Sequence, residues 1–461
     1  MNAVVPSAPD GPVEPERLPA DRVDALFSKL SSFSNLALAV SGGSDSLCLL
    51  VLFDEWRKRT GWQGAAEVLC VDHQLRPESG QEAEFVAANA RACGLACTVL
   101  RWTGTKPAAN LQEAARIARY WLMAARMRDI GAEALVLGHH LDDQAETFLD
   151  RLTRGSGVTG LSGMAADEDC GPEGLRLLRP LLSVSKSDLE ATLEERGCSW
   201  CTDPSNRNLK YKRSRLRAIL SLLTEEGLSA ERLAQTAANI RRAREALERT
   251  ADDLVARLIT EHPAGPARLE REAYREQPEE LRLRLLVYLR ARVSGKNSRP
   301  RLARLQALDG VLMSGEANRQ TFQGSVFDAD ASVIRVWKEP GREPPGILTG
   351  LAGTGTWDGR YLYRVPTRPV GESNAPLCLG PLMNAPVASR EIDWPAGWPK
   401  AAFDCAPVLW RAGEILTPAS ATAVLTIGNS CSSADLNLER MPIQGKLPDN
   451  FMDNEDADEE I

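Results

Sequence analysis

An α/β protein, with a parallel-sheet N-terminal domain followed by a mainly helical domain and a small α+β C-terminal part, is what this chain of 461 residues predicts. Three observations carry that expectation. From Leu36 to about Ser156, short apolar runs alternate with longer helical ones, the pattern of strands covered by helices. Helical periodicity then dominates from about 212 to 313. Past a Pro/Gly-rich link, Glu339 to Gly346, periodicity weakens and prolines multiply. The length suits roughly two to four domains with cores of their own.

The first sixteen residues hold four prolines and three acids, which reads as a disordered arm over 1–20. No basic, apolar leader opens the chain, and the longest apolar run, Leu47 to Phe53, is far short of the roughly 18 residues of a membrane span. A cytoplasmic protein with no membrane partner is expected. Strands are expected at 36–41, 66–72, 97–102 and 134–138, with helices at 44–58, 78–93 and 110–130 between them. This α/β domain occupies 21–222. A helix near 185–196 closes its looser final part. The helical domain covers 223–338, includes a helix capped by Ser229, and ends in a hairpin around Gln323-Gly324. The C-terminal part covers 347–445 and an acidic disordered tail 446–461. No internal repeat is visible.

The chemistry begins after the first strand. Leu36-Ala-Leu-Ala-Val-Ser-Gly-Gly-Ser-Asp-Ser46 runs an apolar strand into a glycine turn and then a helix. Gly42 and Gly43 can take backbone angles that point successive N–H groups at an anion lying on the positive end of the helix. Ser41, Ser44 and Ser46 add hydroxyls, and Asp45 could hold magnesium against phosphates. No lysine follows the glycines, so this is not a Walker loop, and Ser46 replaces the second glycine of a hydrolase elbow. A ligand-free serine turn is the plain alternative. After the fourth strand, Gly138-His-His-Leu-Asp-Asp-Gln-Ala-Glu-Thr147 packs two histidines and two aspartates at the start of a helix. Metal ligation and helix capping both suit it. One carboxylate sharing magnesium with Asp45 is economical, and His139 could neutralise or protonate a leaving oxygen.

Ten cysteines are scattered, most in apolar patterns, which argues against a disulfide framework. Cys198-Ser-Trp-Cys201 has redox or metal spacing, with Cys93 and Cys97 the nearest second pair, and reads as coincidence. The net charge of −8 misleads, because seven acids and no base lie between Asp449 and Ile461. Elsewhere two basic stretches carry no acid: Arg207 to Arg217, and Arg282 to Arg304, which contains Arg284, Arg290 and Arg292. Each is either a solvated helix face or an RNA-backbone surface.

The glycine loop resembles the Ser-Gly-Gly-x-Asp-Ser signature of the ATP-pyrophosphatase, or PP-loop, superfamily, with an adenine-nucleotide alpha-hydrolase-like domain. Further strings narrow the likeness. Val71-Asp-His-Gln-Leu-Arg-Pro-Glu-Ser79, Asn110-Leu-Gln-Glu-Ala-Ala-Arg-Ile-Ala-Arg-Tyr120, the 138–147 string, Arg154-Gly-Ser-Gly-Val-Thr-Gly-Leu-Ser-Gly-Met164, Asp203-Pro-Ser-Asn206 and Arg213-Ser-Arg-Leu-Arg217 resemble, in order, those of the bacterial tRNA(Ile)-lysidine synthetases. The match is strong over 36–220 and loose over 220–338. Ser214 stands where the family often has asparagine, and past 346 only Pro407-Val-Leu-Trp410 is faintly similar.

That resemblance implies a two-step reaction on the wobble cytidine of an isoleucine tRNA with a CAU anticodon. ATP adenylates the oxygen at position 2, and free lysine then displaces AMP to give lysidine. It also implies that Ser41, Gly42, Gly43, Ser44, Asp45 and Ser46 bind ATP, that Asp45 and Asp143 carry magnesium, and that Asp45, His139, Asp143 and Arg213 are catalytic. Arg154, Arg217, Arg282, Arg284, Arg290 and Arg292 are the expected RNA contacts. Oligomeric state is left open, a homodimer included. The rival readings are a tRNA thiolase of the same superfamily and a catalytically inactive RNA-binding homologue.

Overall fold

The computed structural model describes residues 15–107, 109–169, 171–202, 212–296, 300–342, 344–365, 375–387, 392–418, 431–433 and 437–441. By contact they divide into two units, one comprising residues through Gly155 with Leu161–Arg241, the other Ser156–Gly160 with Arg242 onward.

In the first unit, α1 (Ala20–Phe27) precedes β1 (Asn35–Ala39), α2 (Ser44–Thr60), β2 (Ala65–Asp72), α3 (Ser79–Ala92), β3 (Ala96–Arg101), α4 (Leu111–Ile130), β4 (Ala134–Leu137) and α5 (Leu141–Leu152). After the one-turn α6 (Val158–Leu161), whose first three residues group with the second unit, β5 (Asp167–Glu168), β6 (Leu177–Leu178), α7 (Lys186–Glu195) and α8 (Lys212–Glu225) follow. The sheet order is β3-β2-β1-β4-β6-β5, parallel except where β5 meets β6. It is an α/β fold of the expected class. β1 explains itself: Leu36, Ala37 and Leu38 are all fully buried, as a central parallel strand requires. Leu36 and Leu38 join the core formed with Phe27, Phe53 and Trp56, while Ala37 faces Tyr120, Met123 and Met127 of α4. Each such side chain contributes roughly 1.5–3 kcal/mol through burial.

The chain order reverses between β1 and β4, and ligands of open α/β sheets sit at the carboxyl ends of strands beside such a reversal. The glycine turn leaves β1 there, and the two histidines leave β4.

Residues 15–20 correct the expected arm. Leu18 is buried, its N–H donates to Thr192 Oγ1 at 3.1 Å, and the Glu16 N–H donates to Asp188 Oδ1 at 2.8 Å, so the segment docks on α7. One apolar side chain with two backbone bonds is enough to order it. Residues 1–14 and the acidic tail lie outside the described residues.

The second unit holds the residues of α9 (Ala230–Leu258) from Arg242 on, then β7 (Thr260–Glu261), β8 (Ala267–Glu270), α10 (Arg271–Arg275), α11 (Glu279–Ser294), α12 (Leu302–Met313), β9 (Asn318–Phe322), β10 (Ser325–Ala329) and β11 (Val333–Lys338). Its antiparallel sheet runs β7-β8-β11-β10-β9. β7 and β8 interrupt the expected helical stretch, because β8 pairs with β11, distant in sequence. The hairpin between β9 and β10 turns at Gln323 and Gly324, both with positive φ as a two-residue turn requires. Leucines of α11 pack on Leu305, Leu308, Phe327 and Ile334. Arg271 is fully buried, its guanidinium donating to the carbonyls of Leu312 at 2.9 Å, Glu316 at 2.8 Å and Asp330 at 2.7 Å.

The C-terminal part contains β12 (Leu348–Thr349), β13 (Gly353–Trp357), β14 (Tyr361–Val365), β15 (Leu377–Pro381), β16 (Pro407–Arg411), β17 (Glu414–Pro418), β18 (Cys431–Ser433) and β19 (Asn437–Arg440). They form two sheets, β12-β15-β16-β17-β18 and β13-β14-β19.

Candidate active site

The turn after β1 closes on itself through Ser46, whose Oγ accepts the Ser41 N–H at 3.1 Å, lies 3.2 Å from the Ser41 hydroxyl and donates to the Gly43 carbonyl at 3.2 Å. Gly42 has φ +91°, and a Cβ there would press on Val86 at 3.3 Å and on Cys201 Sγ at 3.4 Å. No side chain caps α2, so its first amides stay available to an anion at the helix's positive end. Gly42 takes the left-handed angle that glycine allows, whereas Gly43, at φ −70°, has backbone angles open to any residue.

The residue after β4 lies close against this cradle. A Cβ on Gly138 would lie 2.8 Å from the Asp45 carbonyl oxygen and 3.1 Å from the Ser46 Cα. The contact brings the next residues against the loop. His140, fully buried, places Nε2 3.5 Å from both Asp45 Oδ2 and Asp143 Oδ2, and Nδ1 3.4 Å from Asp142 Oδ2. Burial opposes the imidazolium, but Asp142, Asp45 and Asp143 outweigh it and push His140 up to about 10. Burial likewise works against the Asp45 carboxylate, yet His140 and Lys186 hold it down at about 2. Asp143 accepts the His140 backbone N–H at 3.2 Å, so it caps α5 as well as facing the cradle.

The predicted residues therefore divide. Ser41, Gly42, Gly43, Ser44, Asp45, Ser46 and Asp143 come together, with His139 beside them. His139 Nδ1 accepts from Arg179 Nε at 3.2 Å, which leaves Nε2 as the ring atom to carry a proton. Arg217 pairs with the buried Glu146 and lies near Asp143 and Asp45, so it faces the cradle. Arg213 lies on α8 with its side chain outside the described set. Arg154 is away from the cluster, exposed and paired with Asp150 at 3.0 Å. Asp203 to Asn206 lie outside the described residues.

Four expected RNA contacts are corrected. Arg290 is fully buried, and Arg284 is buried against Glu280 at 2.8 Å. Arg282 holds Asp309 through two bonds of 2.9 and 2.8 Å, and Arg292 holds Glu261 at 2.8 Å. α11 is buried on nearly every side, so Arg282 and Arg292 turn inward to carboxylates from other elements, while Arg284 pairs within the helix. Arg282→Ala is expected to destabilise the protein by about 3–5 kcal/mol in urea unfolding, since it takes the counter-charge from the buried Asp309 and leaves it, among the described residues, the Tyr274 hydroxyl alone. Its tRNA affinity, measured well below the transition, should stay within a few fold of wild type.

Lys186 and Gly138 were given no role from sequence, and His140 only a share in the histidine–aspartate cluster. Lys186 opens α7, capped by Ser185, with Nζ 3.7 Å from Asp45 Oδ1 and its N–H donating to Asp142 Oδ2 at 2.9 Å. A capping serine three residues before Asp188 marked the helix start, but nothing local marked its neighbour. Cys201 packs on the loop, its N–H donating to the Gly42 carbonyl at 2.9 Å, and both Cys198 and Cys201 are free thiols. Among the described residues no group of His, Cys, Asp and Glu side chains forms a metal cluster.

Residues 17–223 match the PP-loop domain family, so the cradle is that of a PP-loop, ATP-binding protein. The chain is 39% identical over 353 residues to the tRNA(Ile)-lysidine synthase of Bradyrhizobium sp. strain BTAi1, spanning 72% of this chain and 98% of that protein. It is 40% identical to that of Methylobacterium sp. strain 4-46, spanning 72% of this chain and 96% of the other, and 35% identical to that of Ruegeria pomeroyi, spanning 83% and 87%. The chain belongs to the tRNA(Ile)-lysidine synthase family, and is a ligase-type, tRNA-modifying enzyme. A tRNA thiolase of Methanococcus maripaludis superposes with a TM-score of 0.42 and 16% identity over 49% of this chain and 78% of that one, too distant to carry an argument.

Proposed function

We propose that the protein ligates free lysine to the position-2 carbon of the wobble cytidine in an isoleucine tRNA with a CAU anticodon, through an adenylated cytidine, converting ATP to AMP and pyrophosphate. The observation that carries this reading is the convergence of Asp45 and Asp143 on the buried His140 imidazole beside an uncapped helix N-terminus, in a chain of this family. The cytidine oxygen attacks the α-phosphorus and pyrophosphate departs into the amides and hydroxyls of Ser41 to Ser46. An amino group of lysine then displaces AMP from the base.

Two carboxylates are the protein share that magnesium takes when phosphates and water complete its shell, so Asp45 and Asp143 fit that ion. Bound there, it would offset phosphate charge. Arg217, with Arg213 from the same helix, meets the charge that develops at the α-phosphate. His139 Nε2 moves a proton at the leaving oxygen, and Arg154 takes RNA phosphate. No described helix is long and apolar enough to cross a membrane, and a cytoplasmic location suits these substrates. The thiolase alternative would need reactive cysteines or an iron–sulfur cluster at the loop, whereas Cys201 is engaged in packing on Gly42 and the described residues hold no group of three metal-ligating side chains.

Protein incubated with ATP, magnesium, the CAU-anticodon tRNA and labelled lysine should render lysine acid-precipitable, with stoichiometric AMP and pyrophosphate. Thiolation from a sulfur donor without lysine transfer would replace this reading with the thiolase. Binding of tRNA with no ATP–pyrophosphate exchange would leave an inactive homologue.

A further inference from the structure

Helix α4 carries two apolar stripes where the sheet requires one. Tyr120, Met123 and Met127 are buried in the core on the sheet face. Ala114, Ile117, Ala118, Trp121 and Leu122 repeat at helical spacing on another face and line an open groove of about 550 Å³, completed by Arg101, Trp102 and Thr103 from the end of β3. Ile117 and Trp121 leave 57% and 56% of their surface in solvent, so the second stripe adds little to the fold and leaves an apolar patch that calls for an occupant.

The surroundings say which kind. Lys106 Nζ stands 4.0 Å from the centre of the Trp102 ring, His73 meets that ring edge-on at 5.8 Å, and Arg119 reaches to 3.5 Å from His73 Nε2. Among the described residues no carboxylate lines the groove. Because β1, β2 and β3 are adjacent and parallel, the cradle, His73 and Trp102 leave the same edge of the sheet in succession. Two strand spacings, about 10 Å, separate the lines of β1 and β3.

We propose that this groove is a stacking platform for unpaired loop bases of the RNA substrate, with Trp121 and Ile117 as its floor, Trp102 as its wall, and Arg101, Lys106 and Arg119 meeting the phosphates. Unstacked bases offer a π-face and a phosphate at each step, which is what an aromatic groove fringed by cations recognises. An apolar protein partner would use the indole and make no use of the cations. The proposal rests on the reading of the chain as an enzyme acting on tRNA, and it names how the loop beside the reacting base is held.

The test uses the full-length protein with two probes, an RNA stem-loop bearing the CAU loop and the same stem as a blunt duplex, and with the variants Trp121→Ala and Trp121→Phe. Trp121→Ala should weaken stem-loop binding by about tenfold or more and raise the KM for tRNA more than it lowers kcat. ATP affinity and duplex binding should not change, and Trp121→Phe should restore most of the loss. Trp121-dependent stem-loop binding by protein that transfers no lysine would support the groove while sinking the proposed reaction. Lysine transfer with stem-loop affinity equal in wild type and Trp121→Ala would overturn the groove alone. A dimer that Trp121→Ala converts to monomers of unchanged RNA affinity would overturn it too, because a second copy of the chain would then be the occupant.

Discussion

Asparagine at Asp143 or at Asp45 is expected to slow tRNA-dependent AMP formation at saturating ATP by about a hundredfold or more, the loss of roughly 3–4 kcal/mol of transition-state stabilisation. The substitution removes charge and little else. Asparagine at 143 can still accept the His140 N–H that opens α5, so the helix start survives. Either variant also removes an anion 3.5 Å from the buried imidazole, which should then titrate below the value of about 10 it holds now. NMR of the histidine ring measures that shift directly. Filter binding should find tRNA affinity within a few fold of wild type. Affinity falling as far as the rate would show that the two carboxylates organise the fold instead of the phosphates.

Gly138→Ala should be as damaging by a different route. Its Cβ would lie 2.8 Å from a backbone carbonyl, so either β4 or the start of α2 must move. Overpacking of this kind costs about 1–3 kcal/mol of stability, and a displacement near 1 Å in a positioned site can cost a hundredfold in rate. The contrast is Gly43→Ala, whose Cβ meets nothing within 4 Å at φ −70°. Gly43→Ala should keep its melting temperature and lose ATP affinity, if the cradle closes on phosphate there. Thermal melts of both variants, with ATP titration, separate the two cases.

Much of the first unit was legible because its chemistry is local. A strand, a glycine turn and a helix start are contiguous in sequence, and Asp45 and Asp143 sit at turns that topology then brings to one edge. His140 was harder to weigh. The two histidines are neighbours, and only the alternation at the end of β4 decides that one turns to Arg179 and the other into the carboxylates. The arginines of α11 misled for the opposite reason. Their stretch contains no acid between 282 and 304, yet their partners Asp309, Glu261 and Glu280 lie just outside that window or on another element. A charge count along the chain cannot see a carboxylate brought in by folding. The same holds for β7 and β8, whose pairing with a distant strand overrides the helical pattern around them.

Arg271 sets how the second unit comes apart. Its single guanidinium takes the carbonyls at the end of α12, of the turn that follows, and of the bend between β10 and β11. None of these segments can open alone without leaving a buried cation short of acceptors, so each local fluctuation carries the cost of the others. Amide hydrogen exchange in these three places should therefore slow to one common rate, and limited proteolysis should find no nick between Leu312 and Asp330 until the whole unit opens.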